Sequence, residues 1–556
     1  MRFPTLRQAA VGLAALALVL TACSAAPKAA GPSGGGGGGP LTIGMPNGPQ
    51  TNNSNPFLNT SSARSLGYAY AIYEPLAQVN AVRPTVAPIP WLASEWKWNP
   101  EFTSIAITAR DGVTWSDGQP FTADDIAYSI QIRKDQSAFN ENALPYKDIT
   151  TSGKTVTVTF TSGQFVNQNK ILNLFMVPKH IWQNIAAPTT DLNQTPVGTG
   201  PYTLKTWTPQ AVTLVPREGY WGGKAQVPEL RYTSYNDNSA LTNALVSGAA
   251  QWGWTFIADY RRVYIAADPK NNHFNAPTGL GVDALFLNST KAPFDNVAVR
   301  KALDMVINRD DVSKLATTGA FPALTNVTGM PEPAGNDFIA PEHAGKKYPV
   351  DTDGAKKVLA DAGYTLDAGV LKDPKGTPVT FTLVDPSGWS DYLTELQLIS
   401  DAVKPLGITA KVETMTADAW ATALKAGNFD ASLHWTDGGS TPWDMYSDMF
   451  DTAQYKPLGQ AASWNYGRFQ HPESAAAFLT YANTTDAAAR TAALATIQKV
   501  FVEQVPAIAM ISRPNAAEYS TKNWTGWPTD QDQYSSPQPT GPQASMILMK
   551  LRPSGS

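Results

Sequence analysis

The chain reads as a mixed α/β protein, and three observations predict it. Runs of period-two hydrophobicity, Ser104–Thr108 and Thr155–Phe160, mark half-buried strands. Stretches with helical spacing mark amphipathic helices, the clearest being Val297–Ile307, where Val299, Leu303, Val306 and Ile307 share a face. From Val379 onward the two patterns alternate, as sheets covered by helices require.

Taken in order, Leu41–Gly44 is the first expected strand, followed by a polar loop from Met45 to Asn55. Asp124–Lys134 carries Ile126, Ile130 and Ile132 at helical spacing, with Thr122 or Asp124 as N-cap. Asp353–Ala362 is a helix closed by Gly363, where a left-handed cap is wanted. Then come a strand at Val379–Val384, a helix at Tyr392–Pro405 and a strand at Ile408–Glu413. A helix at Ala417–Lys425 and a strand at Phe429–Trp435 follow. No internal repeat is visible.

The N-terminus speaks for an extracytoplasmic address. Arg2 and Arg7 precede the uncharged stretch Ala9–Leu20, too short for a bilayer span of about 20 residues and suited to a signal-peptide h-region. Leu20-Thr21-Ala22-Cys23 then resembles the lipobox of bacterial lipoproteins, which makes Cys23 the expected lipidation site. Cys23 is the only cysteine among 556 residues, so no internal disulfide and no cysteine-rich metal site is expected. Residues 23–40 include an unbroken run from Gly34 to Gly39 and read as a flexible tether. Residues 1–22 read as the signal peptide. Its removal takes two arginines from a chain whose formal charge is already −4, and an acidic body without a basic run argues against nucleic acid as partner.

The familiar catalytic signatures are missing. The five histidines, His180, His273, His343, His434 and His471, lie far apart, so neither a metal nor a cofactor is expected. There is no nucleophile elbow, Walker loop or dinucleotide fingerprint, and catalytic residues are expected to be absent. Gly198-Thr-Gly200-Pro201 is glycine-rich, but its proline spoils a phosphate-cradling helix start, and it reads as an interdomain turn. Adjacent Asp124 and Asp125 suit a helix start better than acid/base catalysis. Trp115 and Phe121 read as core, and Arg300 as a structural ion-pair partner.

Five segments in order resemble the family 5 extracytoplasmic solute-binding proteins, which include oligopeptide, dipeptide, nickel and cello-oligosaccharide receptors. They are Ile105–Ile130, with Trp115-Ser-Asp117-Gly118 and Phe121-Thr-Ala-Asp124-Asp125; Pro196–Tyr202 with Glu218–Gly222; Phe286–Leu303; Ala355–Tyr364; and Ile408–Trp435. The resemblance implies a periplasmic-binding-protein-like, two-jaw α/β fold with an extra small lobe. Residues 41–83, 200–286 and 510–556 would form lobe I, residues 84–199 the extra lobe, and residues 287–509 lobe III, the second jaw. Hinges would lie near Leu285–Asn288 and Ala507–Ile511. It also implies a monomeric transport receptor held at the cell membrane by its lipid. Such a receptor serves ABC permease subunits whose ATPases are separate chains.

Peptide receptors of the family place an aspartate in a Trp-x-x-Asp…Asp-Pro segment to take the peptide ammonium. Here Gly438 stands at that position, Thr441 replaces the aspartate before Pro442, and Asp437 lies one place early. The substituted Gly-Gly-Ser-Thr-Pro-Trp resembles members that bind β-linked oligosaccharides. An oligosaccharide is therefore expected ahead of an oligopeptide, with a lipid-anchored hydrolase as a distant third reading. Flat aromatic faces suit sugar rings, so Trp252, Trp254, Trp389, Trp435, Trp443 and Tyr446 are the candidate platforms. Asn55, Asp391 and Asp437 are the candidate hydrogen-bonding partners.

Overall fold

The computed structural model describes residues 38–83 and 86–555. The signal-like segment, Cys23 and the glycines of the tether up to Gly37 lie outside the described residues. Three sheets organise the rest. The first has seven strands in the order Asn272–Asn275, Ala517–Ser520, Trp252–Gly253, Leu41–Met45, Leu230–Ser234, Ala211–Pro216 and Tyr202–Trp207. Leu41–Met45 lies parallel to both its neighbours, with Ile43 opposite Tyr232 on one side and Trp252 on the other. A side chain at Gly44 would overlap Leu241, because the helix Asn238–Ser247 packs directly on this strand.

The second sheet has five strands, in the order Thr409–Met415, Thr380–Pro386, Ala431–Trp435, Thr278–Leu287 and Ala507–Pro514. The first three are parallel and the fourth runs against both its neighbours. Helices cover both faces, which is why Thr278–Leu287, fourth in the order, is buried on both sides from Leu280 to Leu287. Leu285 and Leu287 enter the core beneath Val297–Val306 and Ser390–Val403. Ala284 and Phe286 enter the opposite core with Tyr446, Phe450, Phe478 and Phe501.

The third sheet is a four-stranded antiparallel unit, Ala93–Trp98, Ser104–Ala109, Thr155–Phe160 and Tyr146–Ser152, covered by the helix Ala123–Asp135. Trp115 and Phe121 pack in its core with ring centroids 5.8 Å apart. The two aspartates at the helix start diverge. Asp125 Oδ2 accepts from Thr122 N (2.8 Å) and its Oδ1 from Lys179 N (2.9 Å), while Asp124 pairs with Lys179 Nζ (2.9 Å).

Two readings are corrected. Leu285–Asn288 and Ala507–Ile511 are buried and, up to Leu287, lie inside paired strands, so neither is a crossing. Residues 278–286 and 510–514 belong to the five-stranded sheet rather than to the first lobe. The chain crosses near Pro277 and returns near Asn515, where Asn515 N donates to Pro277 O (3.0 Å). Arg300 meets no carboxylate at ion-pair distance among the described residues; its guanidinium donates to the carbonyls of Gln504, Val505 and Phe294, capping the end of the helix Ala487–Gln504. Among the described residues no helix is long and apolar enough to cross a membrane.

Candidate functional site

The parallel strands of the five-stranded sheet fix where a ligand can sit. Ligands of open α/β sheets bind beyond the carboxyl ends of the strands. Here the segments following Pro386, Met415 and Trp435 supply Trp389 and Asp391, Trp420, and Asp437 to Ser440. They face a cavity of about 680 Å³. Its other walls come from the seven-stranded unit, through Pro46, Asn47 and Trp254, and from the four-stranded unit, through Arg133, Glu141 and Lys170.

Indoles line much of the second-jaw wall. Trp389 meets Trp420 edge to face (5.1 Å) and Trp435 at 6.2 Å, and Trp420 stacks on His434 at 5.4 Å. Trp464 extends the wall beside Tyr466 at 6.0 Å. These rings are fixed from behind: Trp420 Nε1 donates to Ser432 Oγ (2.9 Å) and Trp389 Nε1 to the carbonyl of Pro46 (3.4 Å). The second bond runs from one jaw to the other. Gly388 permits it, since a Cβ there would lie 2.6 Å from Asn236 O. Burial pulls the His434 imidazole down to about 3, so the ring is neutral and its Nδ1 donates to Trp435 O (2.7 Å).

Two charged clusters flank the indoles. In one, Arg513 Nη1 pairs with buried Asp283 (2.7 Å) and donates to Tyr392 Oη (2.9 Å), while the guanidinium lies 4.9 Å from the centroid of Trp435. Asp391 accepts from Asn238 Nδ2 across the jaws (3.1 Å). Burial pushes its carboxyl up to about 6, against the pull of Arg513, and neighbouring Asp283 adds to the rise. One helical turn on, Glu395 is fully buried, with neither carboxylate oxygen partnered among the described residues. Burial, Asp283 and Asp391 hold it well above the usual carboxylate range. In the other cluster Lys170 Nζ pairs with Asp444 (2.7 Å) and lies 5.3 Å from the Trp443 ring. Burial opposes its charge, but Asp444, Asp448 and Asp437 outweigh it and hold the ammonium above the usual lysine range. The Asp437 carboxylate is exposed to the cavity, and its peptide N–H is tied to Asp448 Oδ2 (2.7 Å).

Of the nine residues expected to meet the ligand, the structure brings five to the cavity: Trp254, Trp389, Asp391, Trp435 and Asp437. The other four are structural. Asn55 is fully buried and its amide caps the carbonyls of Pro188 (2.9 Å) and Asp191 (2.8 Å). Trp252 is sealed against Trp527 and donates to Pro537 O (2.8 Å). Trp443 opens a wholly buried helix, Trp443–Phe450, and Tyr446 in the same helix donates to Thr328 O (2.6 Å). Trp420, Trp464, Lys170 and Arg513 were not anticipated. Trp420 sits at helical spacing with Leu424, a pattern that also describes core.

A protein-family model, bacterial extracellular solute-binding proteins, family 5 middle, matches residues 87–457, well over half of the chain. The chain belongs to this family. Family 5 members are solute-binding receptors, and this one covers most of its relatives. The glutathione-binding protein GsiB of Salmonella paratyphi A is 26% identical over 454 residues, 78% of this chain and 82% of that protein. A mannohexaose-bound periplasmic oligopeptide-binding protein of an oligopeptide ABC transporter from Thermotoga maritima superposes with a TM-score of 0.83 at 22% identity, covering 93% of this chain and 99% of its own. The oligopeptide-binding protein AppA of Bacillus subtilis, in complex with a nonapeptide, gives 0.79 at 19% identity, with 93% and 99% covered. These likenesses carry the two-jaw fold, as expected from the sequence.

Proposed function

We propose that this family 5 protein is the receptor of an ABC importer, capturing a short oligosaccharide between its jaws and delivering it to a membrane permease. One observation carries the choice of ligand: a cavity whose second-jaw wall is a run of indoles, Trp389, Trp420, Trp435 and Trp464, with Trp254 contributed from the other jaw. Indole faces match the apolar faces of sugar rings, and the carboxylates and amides around them suit hydroxyls. The cavity's size is that of an ordinary small-ligand site, which fits a few residues of an oligomer rather than a polymer. The lipobox at Cys23 supports anchoring outside the cytoplasm, with ATPase subunits on separate chains and the receptor acting as a monomer.

A second reading, an oligopeptide ligand, is favoured by Asp437, whose carboxylate faces the cavity and can take an ammonium. The glutathione-binding relatives lend it weight. A thermal-shift screen separates the two, because a ligand bound only by the native state raises the melting temperature. Cello-, xylo- and manno-oligosaccharides are expected to raise it. If only peptides do, the sugar reading is wrong and the peptide reading replaces it.

A further inference from the structure

The charges inside the cavity are unevenly compensated. Three of its cations have carboxylate partners: Arg64 with Glu141 (3.6 Å), Lys170 with Asp444 (2.7 Å) and Arg513 with Asp283 (2.7 Å). A fourth, Arg133, spends its guanidinium on backbone carbonyls, including Phe175 O (2.9 Å). Lys425 differs. It lies on the helix Ala417–Ala426, whose Trp420, Ala421, Leu424 and Lys425 form one cavity-facing stripe. Its side chain is half-buried, and among the described residues no acceptor lies within hydrogen-bond or ion-pair distance of its ammonium. Behind it, the buried guanidinium of Arg468 is fixed on the backbone carbonyls of Lys425 and Gln460, adding positive charge.

Half-burying an ammonium without a paired counterion is unfavourable, since desolvation is only partly offset by attraction. Burial already draws the Lys425 ammonium below the usual lysine range; Glu141 opposes this and Arg64 adds to it. An anionic group arriving with the solute would remove the imbalance. The rest of the cavity limits which anion fits. Asp391, Asp418, Asp437, Asp444 and Glu141 all line it, so a doubly charged phosphate would meet about twice the repulsion that a single carboxylate meets. A lysine also presents a compact point charge suited to one oxygen-bearing group.

We infer that the natural solute carries a carboxylate and that Lys425 is the residue that takes it. This rests on the cavity being the solute site. The carboxylate can belong to an acidic sugar at one end of an oligosaccharide or to the C-terminus of a peptide, and the chemistry at Lys425 is the same.

Titration calorimetry on matched pairs tests the assignment. The pairs are cellotetraose with its aldonic acid, xylotetraose with its glucuronyl-substituted form, and a tetrapeptide with its C-terminal amide. Wild type is compared with Lys425→Met, which keeps the side chain's length, and Lys425→Arg, which keeps its charge. Wild type is expected to prefer the acid member of one pair by about tenfold or more, the worth of a charge-assisted bond. Lys425→Met should erase that preference, bringing the acid member's affinity down to that of the neutral one, and Lys425→Arg should restore much of it. The pair that responds identifies the source of the carboxylate. Equal binding of acid and neutral forms by wild type would overturn the inference alone. So would a Lys425→Met variant, shown folded by its melting curve, that weakens both members equally. If no member of any pair bound wild type, the solute-site reading would fall and this inference with it.

Discussion

The four-stranded unit meets its two neighbours in opposite ways. Against the first jaw it is built in. Glu74, fully buried, accepts hydrogen bonds from Trp91 Nε1 (2.7 Å), Tyr220 Oη (2.5 Å) and Trp221 Nε1 (3.0 Å). Gly198 and Gly200 press against the carbonyls of Ile72 and Ala71, where any Cβ would overlap backbone, and Arg217 ties the carbonyls of Thr199, Thr114 and Trp115. The glycine-rich turn is thus a close-packing device, not an anion site. Against the second jaw the unit has Lys170 on Asp444 and the Arg490 guanidinium 4.4 Å from the Phe165 ring. The first seam is a set of many-partnered hydrogen bonds around one buried carboxylate and several backbone carbonyls; the second is two charged contacts and the apolar side chain of Val166 on the second-jaw core. The extra unit is therefore tied by more contacts to the first jaw than to the second, where the Lys170–Asp444 pair is its latch.

The strongest way to break this comparison is at Glu74. Glu74→Leu strands the buried Tyr220 hydroxyl and two half-buried indole donors and is expected to cost about 3 kcal/mol of stability, read by chemical denaturation. A loss below about 1 kcal/mol would show the seam to be no tighter than the latch. Next comes Trp443, beside the latch but part of the core: Trp443→Ala is expected to cost a similar 3 to 5 kcal/mol, about what removing a buried tryptophan costs elsewhere. Trp464→Ala, on the cavity wall, should instead weaken solute binding by about tenfold and leave the melting temperature nearly unchanged.

The latch itself is tested by Lys170→Met. Removing the ion pair takes away a contact made only when the jaws meet, so solute affinity should fall by about tenfold and ligand-free scattering should show a larger radius of gyration. An unchanged profile together with unchanged affinity would mean the pair does not bias closure. The smallest effect expected is a pH dependence at Asp391. Its carboxyl is raised to about 6 in the folded protein, above the ordinary value of 3.8. The folded state therefore holds the proton more tightly, and the contribution of Asp391 to stability improves as pH falls from 7 through 6, levelling off near 4. Asp391→Asn should remove that slope while keeping an acceptor for Asn238. Parallel melting-temperature curves for the two proteins would rule it out.

Much of the fold was legible because periodicity is local. The alternation of Ser104–Thr108 and the helical face of Val297–Ile307 needed no partner to be read. The second-jaw loops were legible too, since Trp389, Trp435 and Asp437 lie at strand ends or in Gly/Ser/Pro segments, where packing does not claim a side chain. Trp252 and Trp254 show where this fails. They are two residues apart and would share a face if the strand continued, but it ends at Gly253, so one indole is core and the other reaches the cavity. Trp443 follows a Gly/Ser/Pro loop yet opens a helix buried on every side. Lys170, Lys425 and Arg513 acquire meaning only when distant segments dock, and no spacing in the chain announces that.

The bond from Trp389 to the Pro46 carbonyl has one more consequence. This indole sits where the jaws meet, with Trp420 at its edge and a carbonyl from the opposite jaw on its nitrogen. Parting the jaws exchanges the Pro46 carbonyl for water while Trp420 stays at its edge, so its emission is expected to move to longer wavelength. The protein carries its own optical gauge, and rapid-mixing fluorescence of wild type against Trp389→Phe would time each capture and release without any attached dye.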